Sequence, residues 1–214
     1  MFSGSPGYLK VYSSIQTQIS HEERNMMEKI SNILAEAIIS DFGKMLDNGK
    51  KPYALSLVCN DCMDNFFLAL ADFESLNHLI SEHEARENED FLYYKWSPNE
   101  WLNMSYQLEN SRLKEFNREI NRDESMDRSD SDAYRKSMFD TCISSLIAAK
   151  PGIEAKLEDK NIPIFISFTD ISNLEEIQNY SADKINSAAV YESFKNRFVE
   201  LSWGKNLGQH YPFK

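Results

Sequence analysis

Glycine is scarce in this chain: seven residues in 214. A phosphate cradle built from backbone amides needs clustered glycines, and neither a Walker loop nor a G-x-G-x-x-G turn is present. The G-x-S-x-G elbow and the H-E-x-x-H zinc motif are missing too. Cysteine is limited to three residues, an odd number. That argues against a disulfide framework and for a reducing compartment, so a cytoplasmic location is expected. No apolar run approaches the ~20 residues that a membrane helix needs. The first twenty residues lack a basic segment followed by an apolar core, so no signal peptide is expected. Positive charge is also short, with 23 Lys and Arg against 34 Asp and Glu, a net charge of −11. Such a field repels nucleic-acid phosphates and anionic lipid, and it attracts a basic partner.

What is present suits a folded protein. Hydrophobic residues make up 42% and aromatics 12%, enough for one domain with a sizeable core. Residues 1–20 read as a flexible arm, 21–203 as a single α/β domain, and 204–214 as a surface tail. Met27, Ile30, Leu34, Ala37, Ile38, Phe42 and Met45 follow three- and four-residue steps and predict a long helix. Ser20 and Glu23 have capping-box spacing at its start. Tyr53 to Cys59 and Phe66 to Ala71 read as strands joined at Asn60-Asp61, hence antiparallel. Asp72 or Ser75 is placed to cap a short helix through Ile80. A charged connector follows at 81–90. Leu108, Leu113, Phe116 and Ile120 mark a weakly amphipathic helix, and the mixed-charge stretch 121–132 reads as a mobile loop. Tyr134, Met138, Cys142 and Leu146 predict a second long helix that Pro151-Gly152 should end. Ile164 to Phe168 is the last clear strand. Ser172 or Asn173 should cap a turn over 174–180, and a final helix is expected over 190–201. The fold expected is α/β of the α+β type: an antiparallel or mixed sheet of about four to five strands, backed by two long helices.

The stretch Phe91 to Tyr106, FLYYKWSPNEWLNMSY, holds two of the three tryptophans. Phe91 to Trp96 is aromatic-rich and reads as a strand. Ser97-Pro98-Asn99-Glu100 has the form of a helix start. Ser97 is the candidate cap, Pro98 fits the first position, and Glu100 has capping-box spacing. Trp96 and Trp101 should flank this corner. Their bulk favours burial in the core, and a rim that recognises a partner is the alternative.

YYKWSPNEW resembles the aromatic-W-[ST]-P-x-E-W signature of a bacterial family, domain-of-unknown-function family 4303. The strand pair near Tyr53 to Ala71 and the C-terminal FISFTDISN-to-VYESF stretch are similar as well. The resemblance implies a small cytoplasmic α/β protein, with some members in toxin–immunity neighbourhoods and no established catalytic residues.

Three functional readings follow. The first is a binding protein, an immunity protein that neutralises a cognate basic toxin, with association steered by charge. Its contact candidates are Trp96, Glu100 and Trp101 at the corner, Glu87, Glu89 and Asp90 from the connector, and Asp127 and Asp130 from the loop. The second is an enzyme with a pocket at the corner and Asp170 or Glu100 as acid–base group; a role at a helix cap is the favoured account of each carboxylate. The third is a structural zinc module, because Cys59, Cys62, His78 and His83 read C-x2-C-x15-H-x4-H. Two buried or half-buried thiols and two surface histidines are the plainer account of that spacing. No other cofactor is expected, and neither nucleic acid nor membrane is an expected partner.

Overall fold

The computed structural model describes residues 21–46, 50–83, 88–123, 131–169 and 174–198. The expected first stripe forms helix α1 (His21–Leu46), and Ile30, Leu34, Ala37, Ile38, Phe42 and Met45 are all buried. Each large side chain contributes roughly 1.5–3 kcal/mol by leaving water. The proposed cap at Ser20 lies outside the described residues. β1 (Pro52–Cys59) and β2 (Phe66–Asp72) form the expected antiparallel hairpin. Its loop is held by Asn60, whose side-chain oxygen accepts from the amides of Asp64 and Asn65. Asp72 caps α2 (Phe73–Glu82), its carboxylate accepting from the Ser75 amide.

Next comes α3 (Asn88–Trp96), where a strand was expected. Leu92, Lys95 and Trp96 are buried and Tyr93 is exposed. That spacing of three and four is helical, so packing has overridden the strand preference of the aromatics. A 3-10 turn (Pro98–Glu100) leads into β3 (Asn103–Met104), only two residues long.

α4 (Arg112–Arg122) is capped by Ser111, which accepts from the Lys114 amide. The buried carboxylate of Asp41 on α1 reinforces that start. It accepts from the Ser111 hydroxyl at 2.6 Å, the Arg112 amide at 2.8 Å and the Leu113 amide at 3.1 Å. Negative charge at a helix N-terminus also meets the positive end of the dipole. α5 (Ser131–Glu154) runs through Pro151-Gly152 instead of stopping there. One backbone bond is lost at Pro151, and packing outweighs it. Gly152 has a different role from a stop: a Cβ there would stand 2.9 Å from the Ile39 side chain, so glycine lets α5 approach α1. β4 (Ile164–Phe168), α6 (Leu174–Ile185) and α7 (Ala188–Lys195) complete the described elements. The predicted cap at Ser172 or Asn173 lies outside the described residues.

The sheet order is β3-β2-β1-β4, with β1–β2 and β2–β3 antiparallel and β1–β4 parallel. It is therefore a four-stranded mixed sheet. Its first face carries large residues, Leu55, Leu57, Phe66, Leu68, Leu70, Ile164 and Ile166, packed under α1, α4 and α5. Its second face carries mostly small ones, Ala54, Val58, Ala69 and Ala71, with Phe165 the large exception among its fully buried residues. The volume on that side comes instead from Trp96, Trp101 and Phe194.

The stretch of β2 that the two-residue β3 leaves unpaired and the outer edge of β4 are closed by side chains in the same way. On β2, Asn117 accepts from the Phe66 amide and donates to the Phe66 carbonyl, and the Ser105 hydroxyl accepts from the Leu68 amide. On β4, Asn186 does the same for Ile164, and the Ser181 hydroxyl accepts from the Ile166 amide. Each asparagine side chain supplies the donor and the acceptor that a further strand would have offered, which removes an exposed ladder.

Candidate functional site

The corner is built around the last carbonyls of α3. Helix ends leave such groups without intrahelical partners. Here the Lys95 carbonyl accepts from the Tyr53 hydroxyl at 2.9 Å and from the Trp101 indole at 3.2 Å. The five-residue gap between the tryptophans is what lets Trp101 fold back onto the helix end. The expected capping box is not formed. Ser97 makes no side-chain cap bond, and a single 3-10 turn follows with Pro98 at its first position. The Glu100 carboxylate instead accepts from the Tyr93 hydroxyl at 2.8 Å.

Trp96 and Trp101 are core residues, 7% and 3% exposed. They sit in a shell of aromatic rings. Tyr53 meets Trp96 edge-on at 5.9 Å and Trp101 at 6.4 Å. Phe194 reaches Trp96 at 5.6 Å and Phe165 at 4.6 Å. Within this shell lies Lys95, 3% exposed, its ammonium 5.4 Å from the Trp96 ring and 5.7 Å from those of Tyr53 and Phe91. Burial pulls the Lys95 amine down to about 7. A second buried cation, Arg197, stacks 3.9 Å over Phe194. Its guanidinium donates to Gln178, Asn179 and the Phe194 carbonyl. Burial lowers its pKa to about 10, with Glu175 opposing the shift. Neither cation was singled out from the sequence. Lys95 stands three and four residues after Leu92 and Phe91, and Arg197 three after Phe194, so helical spacing alone placed both beside apolar stripes.

A family model described as a domain of unknown function, DUF4303, matches residues 34–187. The chain belongs to this family. No curated protein and no solved structure matches it. The matched DUF4303 region contains the whole sheet and the motif corner, and it ends before α7.

The surface of the DUF4303 domain beside the corner is aromatic and acidic. Tyr93 is 51% exposed and packs at 5.3 Å against Tyr94, which stacks on His83 at 5.0 Å. Asp90 is exposed on the same helix. The hydrogen bond to Glu100, followed by burial, pushes the Tyr93 phenol up to about 12. Of the acidic contact candidates, Asp90 and Glu100 thus lie here. Glu87, Asp127, Asp130 and the side chain of Glu89 fall outside the described residues, as does Asp170.

The four residues with zinc-finger spacing are not brought together. Cys59 faces the large-residue side of the sheet and its thiol donates to the Ser167 carbonyl at 3.4 Å. Burial pushes that thiol well up. Cys62 is exposed in the hairpin loop. His78 on α2 lies 3.7 Å from Glu82, and His83 is engaged with Tyr94. The hairpin itself explains the separation: the cysteines are at its tip, and α2 starts from its open end, where Asp72 pairs with Pro52. Among the described residues no group of three or more His, Cys, Asp or Glu is arranged to hold a metal ion. No described helix is long and apolar enough to cross a membrane.

Proposed function

We propose that this DUF4303 protein is a cytoplasmic binding protein that neutralises a cognate basic toxin by direct contact. The observation that carries the reading is the ledge formed by Asp90, Tyr93, Tyr94 and Glu100, set in a chain of net charge −11. The exposed Tyr93 and the half-buried Tyr94 supply contact area at little entropic cost, because each has two side-chain torsions. The acids beside them steer a basic partner into encounter. The two tryptophans act one layer below, holding α3 in place so that Tyr93 faces outward.

Co-expression with the product of the adjacent gene tests this. Growth rescue together with a stable complex supports it, and absence of both removes it. Within such a complex, Asp90→Lys should slow association, and affinity should fall as salt is added. An affinity indifferent to salt and to Asp90 would end the electrostatic part of the proposal.

A further inference from the structure

A cavity of about 550 Å³ opens at the end of the sheet where β1 begins. That volume lies within the range of small-molecule sites. Three stretches form it: the end of α1 at Leu46, the entry to β1 from Lys50 to Tyr53, and the connection from α5 to β4 between Lys156 and Ile162. Phe73, the first residue of α2, closes one side. None of Asp90, Tyr93, Tyr94 and Glu100 borders it, so it is distinct from the ledge.

One wall is aromatic. The β1–β2 register steps from the Pro52–Asp72 pair to the Ala54–Ala71 pair and skips Tyr53. Such an irregularity re-aims the extra side chain. The Tyr53 ring meets Phe73 at 4.7 Å, and Phe73 is 40% exposed. A ring left in water beside a cavity offers a face on which a planar group can stack. Leu46, Leu157 and the buried Ile162 extend the apolar lining.

The rim carries cations although the chain is acidic. Lys50, Lys51 and Lys156 border the cavity together with Glu158 and Asp159. The two carboxylates have other partners: Glu158 pairs with Lys51 at 3.1 Å, and Asp159 accepts from the Asn161 amide at 2.9 Å. Lys50 and Lys156 have neither an ion pair nor a hydrogen bond among the described residues. With acids outnumbering bases 34 to 23, two unpaired ammonium groups on one cavity are unexpected. Lys156 is also given room, because a Cβ at Gly43 would stand 3.2 Å from its Nζ and 3.3 Å from its Cε. Glycine inside a helix lowers the stability of that helix, and on α1 it admits the lysine stem.

We propose that this cavity binds a nucleoside monophosphate, its base stacked on Phe73 and its phosphate held by Lys50 and Lys156. A phosphate monoester carries about −1.5 to −2 charges near pH 7, which matches two ammonium groups better than a carboxylate does. Lysine binds phosphate as a point charge without a fixed fork, so two flexible stems can close on it. That suits a chain whose few glycines form no amide cradle. The net charge of −11 disfavours additional phosphates, so a single phosphate is accepted ahead of a polyphosphate or a nucleic-acid strand.

Titration calorimetry on the full chain tests this with adenosine monophosphate, adenosine and inorganic phosphate. The monophosphate should bind saturably, and adenosine and phosphate should each bind at least about tenfold more weakly. Lys50→Met, Lys156→Met and Phe73→Ala should each weaken the monophosphate by about fivefold or more. Lys160 is an exposed lysine of the same connection that does not line the cavity, and Lys160→Met should leave the affinity within about twofold. No saturable binding up to about 10 mM overturns the proposal. So does adenosine binding as tightly as its monophosphate. A loss with Lys160→Met equal to that with Lys50→Met would reduce the effect to diffuse charge and overturn it as well. Tighter binding of a 5′-phosphorylated diadenylate would assign the cavity to an RNA end instead. Should a variant fail to fold, the probes on the unmodified chain still decide.

Discussion

Lys95 gives a prediction whose sign and size both follow from its surroundings. Its amine is enclosed by Tyr53, Phe91 and Trp96 and titrates near 7 when folded. In the unfolded chain a lysine titrates near 10.4. Between these values the unfolded state binds more protons, so stability rises with pH across that window. From pH 7 to pH 9 the folded amine goes from half to almost fully neutral while the unfolded one stays charged. Linkage gives a gain of about 2 kcal/mol over those two pH units. Above pH 9 the trend reverses. Cys59 and Cys142 are buried with raised thiol pKa values, and Tyr93 is raised to about 12. These groups ionise first in the unfolded chain, which favours unfolding as pH rises past their ordinary values. Stability should therefore peak near pH 9. The assay is urea unfolding from pH 6.5 to 10.5, with Lys95→Met beside the unmodified chain. Met fills a similar length without a titrating group, so the rising limb should vanish and the falling limb remain. A flat or falling limb between pH 7 and 9 in the unmodified chain would refute the reasoning. So would a rising limb that survives the substitution.

Asp41→Ala strands the Arg112 and Leu113 amides at the start of α4, and the loss of charge-assisted bonds should lower unfolding free energy by about 3 kcal/mol. A loss below about 1 kcal/mol in denaturant titration would contradict that account. Gly152→Ala should destabilise despite alanine's better helix propensity, because its Cβ would press on Ile39; a net loss of about 1–2 kcal/mol is expected, and a gain in melting temperature would contradict it. Asn117→Ala unmasks the Phe66 amide and carbonyl and should lower stability by roughly 2 kcal/mol. It should also introduce concentration-dependent association, measured by light scattering; a strictly monomeric variant of unchanged stability would remove the edge-closing role.

Periodicity made most of the scaffold readable. The stripes from Ile30 to Met45 and from Tyr134 to Leu146 each produced the helix they implied, and the hairpin and Ile164–Phe168 formed as strands. Two misreadings share a cause. Aromatic content suggested a strand over Phe91–Trp96, and Pro151-Gly152 suggested a helix stop. In both cases a local preference of about 1–3 kcal/mol was overruled by burial of several large side chains. The corner was legible as a place and not as a mechanism. That the Lys95 carbonyl would take two side-chain donors depends on a tertiary contact with Tyr53, forty-two residues away in sequence. Arg197 was invisible for the same reason, since its partners Gln178 and Asn179 come from another helix.

The uneven loading of the two sheet faces has a bearing on how such a domain can diversify. Bulky strand residues on the first face interlock with α1, α4 and α5, so a change there propagates through the hairpin register. On the second face the buried strand residues are mainly small, with Phe165 the exception, and Trp96, Trp101 and Phe194 arrive from segments outside the sheet. Those visiting rings belong to a different cluster from the bulky residues of the first face. One side of the sheet can thus hold the architecture constant while the other is rewritten, which separates the inheritance of shape from the evolution of recognition.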